Sequence, residues 1–221
     1  MTQTFYSRIG KRWLDAAAAL AGLIILSPLF LAAAIAIKLA SRGPVFFRQV
    51  RVGQFGKAFY IFKFRSMRVT DAQSESLLTA AGDPRINSVG RWLRKTKADE
   101  FPQLINVLFG EMSLVGPRPE VPKYAAAYSE RQRQVLLAKP GITGPAANDY
   151  VNEEELLASQ EDKDNFYITT LLPAKLEVDL AYCERVRFAE DLKIIFATFW
   201  NILFRTRGLP KPLLRLPERQ G

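Results

Sequence analysis

Residues 16–37 read AAAALAGLIILSPLFLAAAIAI and carry no formal charge. As a straight helix rising about 1.5 Å per residue, this run would extend about 33 Å, enough to match a hydrocarbon core of roughly 30 Å. A cleaved signal peptide fits poorly, because its apolar region usually has only about 7–15 residues. The stretch therefore predicts a segment that lies in a membrane.

The middle of this run contains Ser27 and Pro28. Proline has no backbone N–H, and its ring clashes with the carbonyl four residues earlier, on Ile24, so we expect the helix to kink or break there. We expect the Ser27 hydroxyl to help satisfy the freed carbonyl, which lipid cannot do. Each half of the run then measures about 16 Å, which is half a bilayer.

Basic residues flank the run on both sides, and they bear on how it is placed in the membrane. A spanning helix would leave one basic cluster outside, against the positive-inside rule, whereas a hairpin that enters and returns keeps both clusters in the cytoplasm. A proline-kinked spanning helix and a re-entrant hairpin both remain open on the residues alone. The flanking residues are Arg8, Lys11 and Arg12 before the run, and Lys38, Arg42, Arg48 and Arg51 after it.

The composition excludes several kinds of chemistry. The chain has 221 residues, no histidine and one cysteine, Cys183. Histidine general bases, Ser-His-Asp triads, His-ligated zinc and internal disulfides are therefore excluded. Catalysis would have to use carboxylates, Lys or Arg, hydroxyls, or a metal bound by oxygen ligands, such as magnesium.

The positive charge is concentrated in the first half of the chain. Residues 1–98 contain 16 Lys and Arg against 4 Asp and Glu, whereas residues 99–221 contain 15 against 18. Such a basic half indicates an anionic partner, which by composition alone is a nucleic acid, an anionic lipid or a phosphorylated small molecule.

The pattern after the apolar run predicts several further elements. Two runs in which apolar and basic residues alternate surround residues 53–56, which predicts a β-hairpin with aromatic residues on one face and Lys and Arg on the other. Residues 71–82 are polar and read as a loop or short helix. A helix is predicted from about Asp99 or Glu100, close before Pro102, to a C-cap at Gly110. Residues 188–204 predict an amphipathic helix. Such a helix is found more often in a core than on a membrane surface, but its position among basic residues leaves an interfacial role open.

Asp99 and Glu100 are the first candidates for chemistry. At a helix N-terminus the dipole favours an ionised Asp and attracts phosphate. Carboxylates near clustered basic residues suit phosphoryl transfer, because a carboxylate can attack phosphorus or hold magnesium while Arg stabilises the phosphoryl oxygens. By spacing alone, a helix cap is the commoner role of such an Asp-Glu pair. The nearby basic residues are Arg91, Arg94, Lys95, Lys97 and, in a proline-fixed loop, Arg118.

The segment KTKADEFPQLINVLFGEMSLVGPRPE at 95–120 resembles the core signature of the bacterial sugar transferases, the monotopic phosphoglycosyl transferases. The resemblance extends to the Ser27-Pro28 break, to 43–67, to 82–95 and to KPGITG at 139–144. It implies transfer of a sugar-1-phosphate from a UDP-sugar to polyprenyl phosphate at the cytoplasmic face of the bacterial inner membrane, with downstream glycosyltransferases as possible partners. It also implies an α/β fold: a helix-rich, α+β-like catalytic domain with a small sheet (43–221), carried on a re-entrant membrane hairpin (1–42).

The resemblance also assigns roles to single residues. Asp99 resembles the nucleophile, and Glu100 its partner, which engages Mg²⁺ (or Mn²⁺) together with Asp99. Arg118, between Pro117 and Pro119, matches the arginine that meets the donor phosphates. Four further residues match motif positions near the site, namely Lys63, Arg65, Asp83 and Arg85.

The sequence departs from the family pattern in two places, of which the first is a mild apolar change and the second bears on the sugar. Phe101 stands where Leu is usual, and after Gly144 the chain reads PAANDYVNEEELL, which is closer to the short members of the family. Which sugar is transferred, and in which glycoconjugate pathway, is therefore left open.

Two other functions compete with this interpretation. A membrane-tethered nucleic-acid-binding protein would use the basic first half, and would bind with a steep dependence on salt. It gives no reason for the Asp99-Glu100 pair or for the Pro117-Arg118-Pro119 loop, so no nucleic acid is expected. A glycosyltransferase that releases UDP rather than UMP is the third candidate, and product analysis separates it.

Overall fold

The apolar run folds as two helices that meet at the proline. In the computed structural model, which describes residues 6–68, 78–79 and 83–204, helix α1 (Lys11–Ile25) follows a π-helical turn at Tyr6–Gly10, and α2 spans Ser27–Ala40. The two helices are bent by 60° at Leu26. The Ser27 hydroxyl donates to the carbonyl of Ile24 over 2.8 Å, which confirms the expected contact.

Within the described residues, no single helix has the length and apolar character needed to cross a membrane. The bent pair α1 and α2 meets that test together, by length and composition. Only a few of its side chains are buried, among them Ala19, Ala33 and Ile37. Large apolar side chains point outward along both arms: Trp13, Leu14, Leu20, Ile24, Ile25, Leu31, Ile35 and Leu39.

The predicted β-hairpin is present. Strands β1 (Phe46–Val52) and β2 (Ala58–Phe64) pair antiparallel, with Phe46 opposite Phe64 and Val52 opposite Ala58. A 3₁₀ turn at Gln54–Gly56 joins them, with Phe55 in the left-handed region at φ 58°.

The expected separation of aromatic and basic faces is wrong. Successive strand residues point to opposite faces, so aromatic residues that are adjacent in sequence cannot share one. One face carries Arg48, whose guanidinium lies 4.8 Å from the ring centroid of Tyr60, and the opposite face carries Lys63 with Phe59.

The segment with the candidate carboxylates is a turn between two helices. Helix α3 spans Ser88–Lys95, a 3₁₀ turn spans Ala98–Glu100, and α4 spans Gln103–Phe109. The helix predicted to start at Asp99 or Glu100 therefore starts only after Pro102, because Lys97 takes a left-handed backbone (φ 56°) and the chain makes a separate turn first. Gly110 ends α4 at φ 84°, as predicted for a C-cap.

The remaining described elements form the rest of the domain. Strand β3 (Ser113–Val115) pairs parallel with β4 (Gly141–Thr143). The main core cluster lies around the helix Leu172–Glu184 and includes Tyr124, Tyr167, Leu171 and Leu176. The helices are α5 (Pro122–Ala125), α6 (Glu130–Arg133), α7 (Pro145–Asp149), α8 (Glu153–Ala158), α9 (Lys163–Phe166), α10 (Leu172–Glu184) and α11 (Phe188–Phe204), with a 3₁₀ turn at Gln134–Leu137 and a π-helical turn at Tyr167–Leu171.

Two further predictions concern helix α11 and residues 71–82, and the structure describes only the first of these segments in full. Helix α11 has the predicted bounds, but it is not a core helix, because Phe196, Phe199, Trp200 and Leu203 are exposed. The loop or short helix expected at 71–82 lies outside the described residues, apart from 78 and 79.

Polar contacts hold α1 against the domain. Arg12 donates to the carbonyls of Val107 (2.6 Å) and Leu108 (2.8 Å), in the last turn of α4, where carbonyls lack helical partners. Asp15, which is buried, accepts the backbone N–H of Leu114 over 3.2 Å. The first arm of the bent pair is therefore fixed by directional contacts as well as by apolar packing.

The packing of α3 against the end of the hairpin gives a test of the fold. A Cβ on Gly90 would lie 1.8 Å from the carbonyl oxygen of Ser66, so Gly90→Ala requires the backbone to move. We expect Gly90→Ala to lower the free energy of unfolding by about 1–3 kcal/mol, the usual cost of overpacking. Gly10→Ala is the matched control, because its Cβ meets only ordinary contact at 3.6 Å from Tyr6. Thermal unfolding measures both, and equal melting temperatures would contradict the described packing.

Candidate active site

The centre of the site is Glu100, which accepts two cations on one oxygen. Lys63 from β2 donates to Glu100 Oε1 over 2.8 Å, and Arg118 donates to the same oxygen over 3.1 Å. Three residues predicted from the family resemblance are therefore in direct contact, although they come from a strand, a turn and a loop.

The charged groups in this cluster shift one another's pKa values. Burial alone would raise the pKa of Glu100, but Lys63 and Arg118 outweigh it and hold that pKa well below the usual range. Glu100 in turn raises the pKa of Arg118 against the effect of burial. Burial lowers the pKa of Lys63, with Glu100 opposing. Glu100 is therefore ionised and held in place.

Asp99 has a different environment from its neighbour. It is buried, and its Oδ1 has no hydrogen-bond partner in the part of the chain that the structure describes. Burial, and then the charge of Glu100, raise the pKa of Asp99, while Lys63, Lys97 and Arg94 oppose them. The expectation that a helix N-terminus favours ionised Asp99 is therefore wrong, since α4 begins four residues later.

The loop that presents Arg118 is fixed by its backbone. The N–H of Gly141 donates to the carbonyl of Pro117 (2.9 Å), and Arg51 donates to the carbonyl of Pro119 (3.1 Å). Asp179 on α10 accepts the backbone N–H of Ala146 over 3.2 Å. The position of the Arg118 guanidinium thus depends on groups that sequence reasoning did not select.

Behind this loop lies a network of buried polar groups on α10 and its neighbours. Tyr167 donates to Glu120 over 2.6 Å, and Lys175 donates to Glu153 (2.9 Å) and to the Tyr167 hydroxyl (3.2 Å). Burial raises the pKa of Asp179 to about 7. The available signal was the spacing of Lys175 and Asp179, which are four residues apart and therefore on one face of the helix.

The other predicted site residues lie elsewhere. The guanidinium of Arg65 donates to the carbonyls of Ser41 and Arg42, both over 2.8 Å, so it caps the end of α2 rather than contacting the carboxylates. Asp83 and Arg85 pair with each other, with Arg85 Nη2 2.6 Å from Asp83 Oδ2. The structure thus joins Lys63, Glu100 and Arg118 and turns the Arg65 side chain towards the apolar helices.

A narrow cleft lies beside the Glu100 cluster. Its walls carry the cationic side chains of Lys63 and Arg118, both bound to Glu100, and in this structure the cleft is too narrow to hold a water molecule. The positive charge at its walls favours an anion over a cation there. The full lining is Arg51, Ile61, Lys63, Gln103, Arg118 and Pro119.

The donor set at this site fits magnesium only in part. Among the described residues there is no group of three or more His, Cys, Asp or Glu side chains that could hold a metal ion. The buried, unpaired Asp99 Oδ1 next to Glu100 is nevertheless an oxygen ligand of the kind Mg²⁺ takes, and Mg²⁺ commonly uses one or two carboxylates with substrate phosphates and water as its other ligands.

Comparison with known proteins agrees with the family resemblance. The chain is 39% identical over 203 residues to a UDP-glucose:undecaprenyl-phosphate glucose-1-phosphate transferase of Escherichia coli (strain K12), covering 88% of this chain and 40% of that protein. A protein of the same name from Caulobacter vibrioides is 37% identical over 87% of this chain and 69% of its own length. A UDP-N-acetylgalactosamine-undecaprenyl-phosphate N-acetylgalactosaminephosphotransferase of Aeromonas hydrophila is 37% identical over 87% of this chain and 43% of its length.

Each match covers most of this chain but a smaller share of the related protein. The chain spans only about two fifths of the Escherichia coli relative, but nearly all of the chain takes part in the match. The model of the family described as bacterial sugar transferase matches residues 6–205, which include the bent helices and the whole Glu100 cluster. The chain therefore belongs to the bacterial sugar transferase family.

Proposed function

We propose that this protein transfers a sugar-1-phosphate from a UDP-sugar to polyprenyl phosphate, giving a polyprenyl-diphosphate sugar and UMP. The observation that carries the proposal is the Lys63–Glu100–Arg118 cluster beside Asp99, whose Oδ1 has no partner among the described residues. The names of the relatives, which are UDP-sugar:undecaprenyl-phosphate phosphotransferases, support the same substrate classes.

In this proposal Asp99 is the nucleophile. Its carboxylate attacks the phosphorus that bears the sugar, the bond from that phosphorus to the oxygen bridging the two phosphates breaks, and UMP leaves with the electron pair. A phosphate oxygen of the polyprenyl phosphate then attacks the aspartyl phosphosugar, and the Asp99 carboxylate is released. Splitting one difficult transfer into two displacements is the general advantage of covalent catalysis.

The cationic side chains offset the repulsion between a carboxylate and a diphosphate. Arg118 presents a partly exposed guanidinium, whereas Lys63 is nearly buried, and both are already held by Glu100. Such preorganised charges stabilise the phosphoryl group without having to rearrange during the reaction. Magnesium held by Asp99 and Glu100 would supply further charge neutralisation on the diphosphate.

We propose further that residues 1–42 form a re-entrant membrane hairpin and that the domain at 43–221 works at the cytoplasmic face of the inner membrane. The 60° bend at Leu26, the basic flanks and the outward apolar side chains of α1 and α2 support this. The exposed apolar side of α11 suits contact with the same lipid surface. An acceptor with a lipid tail would then reach the site from the membrane.

Replacing the nucleophile tests the covalent route. We expect Asp99→Asn to lower turnover by several orders of magnitude, because the amide keeps the shape but loses the attacking charge. The measurement is UMP release from a panel of UDP-sugars without polyprenyl phosphate, together with the intact mass of the trapped enzyme. Release of UDP instead of UMP would show a different glycosyl transfer.

Asp15→Asn is the matched control for that substitution. Asp15 is also buried, and an Asn there can still accept the N–H of Leu114. We expect UMP release by Asp15→Asn to stay near that of the wild type. Normal turnover by Asp99→Asn, or normal overall turnover with no covalent adduct, would contradict the proposed role.

Metal removal gives the next prediction. A chain without histidine offers oxygen ligands at this site, so EDTA should abolish turnover, and added magnesium or manganese should restore it, whereas zinc should not. Thermal unfolding in EDTA controls for loss of structure. Full activity in metal-free buffer would contradict the metal requirement.

The hairpin predicts that both of its ends face the cytoplasm. Cysteines introduced at Gly10 and Arg42 should resist a membrane-impermeant maleimide in intact cells and react after permeabilisation. The native Cys183 is buried and should stay unlabelled in the folded protein. Pro28→Ala should straighten the segment towards a span and expose one of the two positions. Labelling of either position in intact cells carrying the native proline would contradict the hairpin.

A further inference from the structure

Helix α4 carries two buried amide side chains with opposite hydrogen-bonding states. Asn106 is fully satisfied: its Nδ2 donates to the carbonyl of Tyr60 and to Glu111, both over 2.7 Å, and its Oδ1 accepts the N–H of Phe62 over 3.1 Å. Gln103, one turn earlier, is 2% exposed, yet its Nε2 has no hydrogen-bond partner in residues 6–68, 78–79 and 83–204.

An unsatisfied buried amide carries a cost. Leaving a buried donor without a partner costs about 1–3 kcal/mol, and such groups are rare in native proteins. Gln103 lines the same cleft as Lys63 and Arg118. The same cleft is lined by Arg51, whose Nε also lacks a partner among the described residues, while its terminal nitrogens bind Pro119 and Gln49.

The chemistry of this cleft defines what would fit it. Its lining includes two buried N–H donors without a partner among the described residues, on Arg51 and Gln103, and three cationic side chains. No carboxylate belongs to the lining itself, although Glu100 holds two of the cations, Lys63 and Arg118. Neutral and charged donors of this kind bind anionic oxygens, and the phosphoryl group is the anion that the proposed reaction brings to Arg118. We infer that Gln103 Nε2, together with Arg51 Nε, donates a hydrogen bond to a phosphoryl oxygen of a substrate bound between Lys63 and Arg118.

The identity of the substrate in this inference rests on the proposed function. The chemical class of the ligand, one with a phosphoryl group, rests on the residues of the cleft alone. Gln103 is then a substrate-binding residue. Its unpaired N–H destabilises the free protein, and a hydrogen bond to the bound ligand removes that penalty. Removal of the Gln103 amide should therefore weaken binding without lowering the stability of the free protein, whereas removal of a purely structural amide would lower stability.

The test compares Gln103→Met with Asn106→Leu in the full-length protein. Methionine keeps the length of glutamine and removes the buried N–H, so the melting temperature of the free protein should stay equal or rise. Asn106→Leu leaves the Phe62 N–H and the Tyr60 carbonyl without partners and should lower the melting temperature. A drop for Gln103→Met as large as that for Asn106→Leu would show a structural amide and overturn the inference.

Binding is measured with UDP and with inorganic diphosphate in the presence of magnesium, neither of which requires the sugar to be known. Loss of one hydrogen bond to a charged group should raise Kd about tenfold or more. Gln103→Glu, which puts an oxygen in place of the donor N–H, should weaken binding further. Unchanged Kd values and an unchanged KM for polyprenyl phosphate in Gln103→Met would overturn the inference.

The source of the phosphoryl oxygen follows from which step is impaired. Slower UMP release without acceptor assigns the contact to the sugar nucleotide, whereas a raised KM for polyprenyl phosphate alone assigns it to the acceptor. Weaker diphosphate binding by Gln103→Met, in a protein that turns over no UDP-sugar of the panel, would refute the proposed function and leave this site standing. A wild-type protein that binds neither UDP nor diphosphate would refute the site itself.

Discussion

The arrangement of the site depends on one carboxylate oxygen. Glu100 Oε1 accepts both Lys63 and Arg118, and by doing so it joins the hairpin, the 98–100 turn and the Pro117-Arg118-Pro119 loop at a single point. Removing one partner from a buried ion pair typically costs about 3–5 kcal/mol, because it leaves the other charge without compensation. The cluster is therefore structural as well as chemical: it fixes the turn that carries Asp99, and it presents two cations beside the cleft.

Strand β2 connects this cluster to the apolar helices. Lys63, near its end, reaches Glu100, and Arg65, two residues later, binds the carbonyls at the end of α2. Arg12 on α1 makes the equivalent contact with the end of α4, the helix that follows the candidate carboxylates. Both arms of the proposed membrane hairpin are thus attached to the elements that build the site.

Local patterns predicted the local features. The proline break with its Ser27 contact, the hairpin around 53–56, the C-cap at Gly110 and the bounds of α11 all follow from short-range sterics, turn chemistry and apolar periodicity. The contacts of Glu100 did not follow from spacing, since Lys63 and Arg118 lie 37 and 18 residues away. Arg118 was one of several basic residues noted near the carboxylates, and only the family resemblance marked Lys63. The resemblance also marked Arg65, but a motif does not tell which neighbour a side chain will meet.

Long-range contacts account for what was missed. Arg51 binds the carbonyl of Pro119 from a strand about seventy residues earlier, and Gln103 reads from the sequence as an ordinary polar residue at a helix start. The departure from helical geometry at Lys97 was equally invisible, because a left-handed lysine is set by its surroundings and not by its own preference.

Within the described part of the chain, buried polar atoms without a partner, and a strained backbone residue, are concentrated near the site where the chemistry is proposed. Of the five buried side-chain atoms without a partner among the described residues, three belong to Arg51, Asp99 and Gln103, which lie at or next to the cleft. Lys97, with its strained backbone, directly precedes the turn that carries Asp99. One turn beyond Gln103, Asn106 shows that the same helix can satisfy a buried amide fully. Uncommitted donors, an uncommitted carboxylate oxygen and local strain lower the stability of the free protein, and they persist because the surrounding structure over-determines them. Their common location places uncommitted donors and an uncommitted acceptor together, next to the Lys63–Glu100–Arg118 cluster.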